Sequence, residues 1–487
     1  MKRITTLVLA VALLLSTAAV SLADGIDVKV KGQWDFAFGW AVNNAFNNNV
    51  NNKSDRGNDD FLARHRIRTQ VNFITSEYLQ GVLMFEIGVF DWGRGGSSGR
   101  SSGGALDADG VNIETKRAYL DWIIPNTEIS VRMGIQGLTL PSTPMGSPMW
   151  DSDVAGVVVS SPVTDWLSAT AFWIRPFDAF YNDNDGPGSN RSLDDEVDIF
   201  GLLLPMSGDG WAFTPWGMWG SVGSASGMYE YLLLGERANY VNSQNSRATA
   251  WWGGAHLELT MLDPFIFNFE GIYGRINQNN LNGSGLPLIT NNWGTKGWFL
   301  GATLDYQLDW ATPGLFGWYA SGDKEGDVED GWLGRLPALG ADGGSFYPTS
   351  FGFAGSFNTG IATDGQISNT GTGHWGIGLQ LKAFSFCEDL THTIRVAYYR
   401  GTNDEDVVRR FGDLRFRAHD PMYLTKKDSV WEVNFDHKYK IYENLTMAVE
   451  LGWLRLNSDE DVWSHASNND KEHSNAWKAQ LMFKYTF

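Results

Sequence analysis

The chain has 487 residues, 37 Lys and Arg against 56 Asp and Glu, a net charge of −19 and 14% aromatic residues. That acidic balance argues against nucleic acid as a partner, and the single cysteine, Cys387, excludes an internal disulfide. A mean hydropathy of −0.24 is that of a soluble protein, yet strands that alternate oily and polar residues average to the same value.

In chain order, Met1, Lys2 and Arg3 precede an apolar run from Ile4 to Leu15, and Ser21 and Ala23 give a small-x-small cleavage pattern. This predicts a secretory signal peptide over 1–23 and a mature chain from Asp24, two charge units more negative. No later stretch offers about 18 uninterrupted apolar residues, so an exported membrane protein of this sequence has to span as a barrel. Residues 24–487 show no domain boundary and no blade-like repeat, and read as one unit.

From Asp24 onward, period-two segments recur. The first places Ile26, Val28, Val30, Trp34, Phe36, Phe38 and Trp40 on one parity against Asp27, Lys29, Lys31, Gln33 and Asp35. Strands send alternate side chains to opposite faces, so each segment has one oily and one wet face. Clear segments follow near 79–89, 118–124, 129–135, 197–203, 251–259, 265–273, 298–308, 375–383, 431–439 and 445–453. Those near 61–75, 154–160, 164–175, 211–221, 314–321 and 390–400 are weaker, and both parities of 164–175 are apolar. The last segment, Trp477 to Phe487, carries Trp477, Ala479, Leu481, Phe483, Tyr485 and Phe487 on its oily face, with Met482 the one apolar residue on the other.

Spacers alternate short and long to the end. Short ones, such as Met261 to Pro264 and Ile441 to Asn444, carry turn residues; long ones, such as 91–112, 176–194 and 322–372, are rich in Asn, Asp, Ser and Gly. Outer-membrane barrels place short turns in the periplasm and long loops outside. The expected fold is all-β: a transmembrane antiparallel β-barrel of 18 strands, or 16 if 154–160 and 164–175 belong to a loop. An even count lets the last strand pair with the first, and either size encloses an aqueous lumen.

The wet parity then lines that lumen. Arg64, Arg66 and Arg68 form a ladder about 13 Å long on one face; Glu86, Arg117, Asp121 and Arg132 join it from nearby strands, and Arg175 from the ambiguous one. Further along, Glu258, Glu270, Asp305, Lys382, Arg395 and Glu450 share the wet parity. Arginine stays charged at any relevant pH and can act as a fixed counter-charge for anions. Loop 137–153, with Pro141, Pro144, Pro148, Met145, Met149 and Trp150, is stiffer and oilier than the other loops. It is expected to fold inward and to set Asp151 and Asp153 against the ladder as a constriction. Inward aromatics such as Tyr119, Trp252 and Phe299 are few and far apart in sequence.

Acidic clusters in the long loops, Asp183, Asp185, Asp194 and Asp195 and then Asp323, Glu325, Asp327, Glu329 and Asp330, suggest divalent cation binding shared with lipopolysaccharide phosphates. The plainer reading is a solvated, repulsive surface, since the spacing does not follow an EF-hand. Gly95-Gly96-Ser97-Ser98-Gly99 fits the nucleophile-elbow string but lies in a Gly/Ser loop. No Ser/His/Asp grouping is visible, and no metal or cofactor is expected. His65, His392 and His437 fall on the oily parity near strand ends.

The terminal residues resemble the assembly signal of outer-membrane barrels: Gln480 as the polar residue, Tyr485 and Phe487 as aromatics at the third-last and last positions, with Met482 where glycine is usual. Together with the leader and the third-loop position, they resemble Gram-negative trimeric porins. Trp318-Tyr319-Ala320-Ser321-Gly322-Asp323 and Gly334-Arg335-Leu336-Pro337 look like segments of the homotrimeric porins of sulfate-reducing bacteria. The resemblance implies a homotrimer in the outer membrane among lipid and lipopolysaccharide, delivery by the barrel assembly machinery, no cofactor and no enzymatic activity. Its implied function is a porin, a water-filled channel for passive diffusion of small hydrophilic solutes and ions, with the ladder favouring anions. Alternatives are a substrate-specific channel for a sugar or an oxyanion and, more remotely, an enzyme embedded in a barrel.

Overall fold

The structure, a computed structural model, describes residues 25–43, 59–93, 104, 113–178, 196–223, 226, 242–243, 247–282, 292–339, 346–353, 373–411, 423–463 and 474–487. The signal peptide of 1–23 and the acids Asp183, Asp185, Asp194 and Asp195 lie outside them.

Eighteen strands form one closed antiparallel wall. In chain order they are β1 (Asp27–Val42), β2 (Asp59–Ser76), β3 (Leu79–Asp91), β4 (Ile113–Ile123), β5 (Ser130–Thr139), β6 (Asp151–Thr164), β7 (Leu167–Asp178), β8 (Glu196–Leu203, resuming as Met206–Gly208), β9 (Trp211–Val222), β10 (Ala248–Leu262), β11 (Phe265–Asn282), β12 (Asn292–Tyr306), β13 (Thr312–Ala320), β14 (His374–Cys387), β15 (Leu390–Gly401), β16 (Ser429–Tyr442), β17 (Leu445–Asn457) and β18 (Ser474–Thr486). Each pairs with its sequence neighbour. β1 pairs with β18 from Gln33↔Thr486 to Val42↔Trp477, so no edge remains; a closed wall satisfies every strand's backbone groups. The count of 18 stands because β6 and β7 are both wall strands, paired from Gly156↔Ile174 to Thr164↔Leu167.

At one end the connections are tight, for example Glu77-Tyr78, Asp165-Trp166, Asp263-Pro264, Glu388-Asp389 and Glu443-Asn444. The long connections all emerge at the other end. These will be called the turn end and the loop end. Short helices α1 (Glu325–Glu329), α2 (Glu405–Phe411) and α3 (Glu460–Trp463) lie at the loop end.

The exterior carries the large exposed apolar side chains, among them Trp34, Trp40, Trp298, Leu300, Leu315, Trp431 and Leu451. The oily parity of β1 and of the terminal segment is therefore the outer one. Met482, the exception on β18, points inward and packs against Ala37 and Ala448 on the flanking strands. The seam ends on a mutual backbone pair: Gly32 donates to the Phe487 carbonyl at 2.9 Å and Phe487 donates back at 3.1 Å. A Cβ at Gly32 would stand 2.6 Å from Phe487 Cζ, so the last ring needs a glycine beneath it.

Candidate permeation site

The inner wall from β1 to β5 is lined by charge. Arg64, Arg66 and Arg68 alternate inward along β2, opposite Ala37, Asp35 and Gln33 of β1. Arg64 Nε bonds Asp91 Oδ1 at 2.6 Å, Arg66 Nη2 bonds the wholly buried Asp35 at 3.3 Å, and Arg68 Nε bonds Glu86 Oε2 at 2.6 Å. Lys116 lies 3.8 Å from Glu86 and 2.8 Å from Asp153. Arg132 pairs with Asp121 at 2.7 Å and stacks over Tyr119, and Gln80 donates to Asp121 at 3.4 Å.

The ladder is thus compensated rung by rung. Arg64 and Arg68, 29% and 24% exposed, are each held through Nε alone. Their terminal nitrogens make no hydrogen bond to any described residue and remain the accessible donors. A guanidinium held in this way presents a planar fork suited to carboxylate or phosphate oxygens.

Across the barrel, part of the lumen is filled. Segment 140–150, between β5 and β6, folds inward with Leu140, Met145, Met149 and Trp150 buried. Thr143 Oγ1 donates to Glu270 Oε1 on β11 at 3.0 Å, and the Met149 and Met145 carbonyls accept from the backbone N–H groups of Leu339 and Tyr347, each at 2.9 Å. Segment 346–353, between β13 and β14, buries Phe346, Phe351 and Phe353 against Trp318, Tyr399 and Leu454. Phe346 and Phe353 both meet the Trp318 ring edge-on at 5.4 Å. Burying an aromatic side chain contributes about 1.5–3 kcal/mol, so this packing holds the segment to the wall.

Polar inward residues complete the attachment. Glu432 on β16 accepts the N–H groups of Phe351 and Gly352 at 3.1 and 3.0 Å and the Tyr399 hydroxyl at 2.9 Å. Ser350 donates to Asp436 at 2.9 Å, and its carbonyl accepts from Lys478 on β18. Lys478 and Gln480 both bond Glu450 Oε2, at 2.9 and 2.5 Å, with both charged side chains wholly buried. Arg395 pairs with Asp436 at 2.9 Å, and Lys382 with Asp305 at 2.8 Å.

Several expectations need correction. Arg175 is not inward. It shares its face of β7 with Trp173 and Phe177, which are exposed, while Phe172 and Ile174 are buried inside; Arg175 pairs on the exterior with Asp198 at 2.8 Å. The apolar residues on both parities of this strand arise because its inner face meets the buried inward segment. Asp151 and Asp153 are not on a constriction tip but are the first wall residues of β6, opposite Thr139 and Gly137. Asp151 accepts from Thr139 at 2.5 Å, and Asp153 takes Arg117 Nε at 2.7 Å and Lys116. Neither pairs with the β2 ladder. The inward aromatics are not few: Trp216, Trp252, Phe299, Phe316, Trp318 and Tyr399 are buried in one cluster. The sequence pattern placed Trp252 and Phe299 inward but missed Trp216, Phe316, Trp318 and Tyr399, which stand on the strands whose parity is weakest.

Among the later acids, Asp323 is buried and accepts from Gly334 N at 2.7 Å, from Tyr423 Oη at 3.1 Å and from Arg335. Burial and that carboxylate push the Tyr423 hydroxyl's pKa well up. Glu325 and Glu329 share Arg410, and Asp327 faces Lys296. Among the described residues, no group of three or more His, Cys, Asp or Glu is placed to hold a metal ion. The exterior histidines have partners: His65 accepts from Trp92 at 2.7 Å, and His392 and His437 share a 2.7 Å hydrogen bond.

No protein-family model matches the chain, and no curated protein matches it in sequence. Its fold, however, is similar to solved outer-membrane channels of the Occ/OprD kind. The Pseudomonas aeruginosa OccK9 (OpdG) structure superposes with a TM-score of 0.51 at 12% identity, covering 95% of this chain and 98% of that one. P. aeruginosa OccK8 (OprE) gives 0.52 at 9% identity over 95% and 98%, and Acinetobacter baumannii OccAB3 gives 0.51 at 11% over 95% and 99%. At such identities the likeness is one of architecture: the chain has the 18-strand barrel fold of these outer-membrane channels.

Proposed function

We propose that the protein is an outer-membrane porin that admits small hydrophilic solutes by passive diffusion and favours anions, and that it is not an enzyme. The observation that carries this reading is the pair Arg64 and Arg68, gripped by carboxylates at Nε with their terminal nitrogens left toward the lumen. An oily exterior around a charged, partly filled interior supports placement in a membrane. The leader of 1–23 supports export, the turn end then lying in the periplasm and the loop end outside. A homotrimer is part of the proposal, and chemical cross-linking in detergent tests it; a monomer at every protein concentration would oppose it.

Planar-bilayer recording across a salt gradient tests the main reading. A reversal potential on the anion side is expected, and no measurable conductance from correctly folded protein would refute it. A substrate-specific channel for a sugar or oxyanion is the second reading. The packing of segments 140–150 and 346–353 inside the wall favours it, because it narrows an 18-strand bore. Concentration-dependent block by one solute class would decide for it.

A further inference from the structure

Outside the lumen, the loop end of β10–β12 carries an unusual pair of cations on the exterior face. Arg275 on β11 and Lys296 on β12 stand directly opposite each other, a placement in which like charges repel. Trp332 belongs to the two-residue strand Trp332–Leu333, which runs parallel beside the start of β12. Its ring lies against both cations, with the Arg275 guanidinium carbon 4.6 Å and Lys296 Nζ 4.8 Å from the centroid. Arg275 has no hydrogen bond or ion pair with any described residue, and its Nε is buried without a partner. Among the described residues, Lys296 has only Asp327 as an ionic partner, at 3.6 Å.

Two residues nearer the turn end, Tyr273 and Trp298 are opposed on the same face. Trp298 stacks on Tyr319 at 4.8 Å, and Tyr273 meets Trp251 at 5.1 Å. Exterior aromatic bands of this kind sit at the headgroup level of a bilayer, so the two cations stand about 7 Å further out along the strands.

We propose that Arg275, Lys296 and Trp332 bind the phosphate of a phosphorylated glycolipid in the outer leaflet. The inference rests on the outer-membrane placement proposed above, with the loop end outward. A phosphate would relieve the opposed charges, take the guanidinium fork that no carboxylate occupies and leave its acyl chains beside the aromatic band. A free phosphate offers the same headgroup chemistry, but the site faces the lipid side of the wall, and the assignment is to the lipid.

The test uses the full-length protein in mild detergent, loaded with lipid A or with lipid A stripped of its phosphates, and reads bound lipid per chain by native mass spectrometry. Wild type should retain the phosphorylated form, and Arg275→Gln with Lys296→Gln should lower that retention about ten-fold, as expected for losing two charge-assisted contacts. The stripped lipid should bind wild type and variant alike. Equal retention of phosphorylated lipid by wild type and variant overturns the proposal, and so does displacement by inorganic phosphate at matched concentration. If the double variant does not fold, Lys296→Gln alone carries the test, with a clear fall expected and no change refuting the site. Heat-modifiable gel mobility and single-channel conductance report on the barrel separately. A folded, conducting protein that ignores lipid phosphate removes this site and leaves the channel reading intact.

Discussion

Lys478 Nζ lies 2.9 Å from Glu450 Oε2, and both side chains are wholly enclosed by the barrel. This pair is not part of a water-lined face. Lys478 also holds the Ser350 carbonyl, and Gln480 donates to the same Glu450 oxygen. The wall is tied there to the segment that fills it.

Breaking this pair from one side leaves a buried charge without its partner. Lys478→Met is expected to destabilise the folded barrel by about 3–5 kcal/mol, read as a lower urea midpoint in detergent or vesicles. Lys478→Met with Glu450→Leu should recover much of that loss. If the single variant is as stable as wild type, the pair is not the attachment described.

Facing is tested at the neighbouring position. Leu451, 41% exposed on the exterior, should tolerate arginine poorly, at about 2–4 kcal/mol near the middle of a bilayer. Arg68→Gln, on the lumen side, should fold normally and change only conduction. Equal damage from both would contradict the assigned faces.

Selectivity should follow the compensated rungs. Replacing Arg64 and Arg68 together by glutamine removes two positive charges beside Asp91 and Glu86, so the lane gains net negative charge. The reversal potential should then move toward the cation side, most clearly at low salt, where screening is weakest. An unchanged reversal potential would take the two arginines out of the permeation path.

The inward segment makes a separate prediction. Phe351 is wholly buried, and its N–H is held by Glu432. Phe351→Ala should cost about 3–5 kcal/mol if the cavity does not collapse, and it should raise single-channel conductance or its noise. Stability lost with conductance unchanged would mean that the segment fills the barrel away from the narrowest point.

The wall was legible in the sequence because its logic is local. Alternation on β1 and β18, broken at Met482, marks their faces, and the short and long spacers mark the strand count. Asp35 and Glu86 sit within the same alternation as the arginines they meet. The filling of the lumen was not legible. Glu432 and Lys478 look like ordinary wet-face residues until segment 346–353, distant from both in the chain, comes to lie on them. Arg175 was misplaced for the same reason: Phe172 and Ile174 are apolar on an inner face, and only the packing of segment 140–150 explains why. Asp151 and Asp153 read as loop because prolines precede them, yet the chain is back in the wall by Asp151. Met482 shows the reverse case, an exception to the pattern that a small apolar nest at Ala37 and Ala448 accounts for.

The division of labour inside the barrel has an evolutionary consequence. The wall's hydrogen-bonded ring closes the barrel, while segments 140–150 and 346–353 occupy part of its bore. Substitutions at positions such as Met145 or Phe351 can resize the passage without touching a single rung of the ring. The size limit for solutes can therefore drift between lineages faster than the architecture, and strand number is a poor guide to what such a channel lets through.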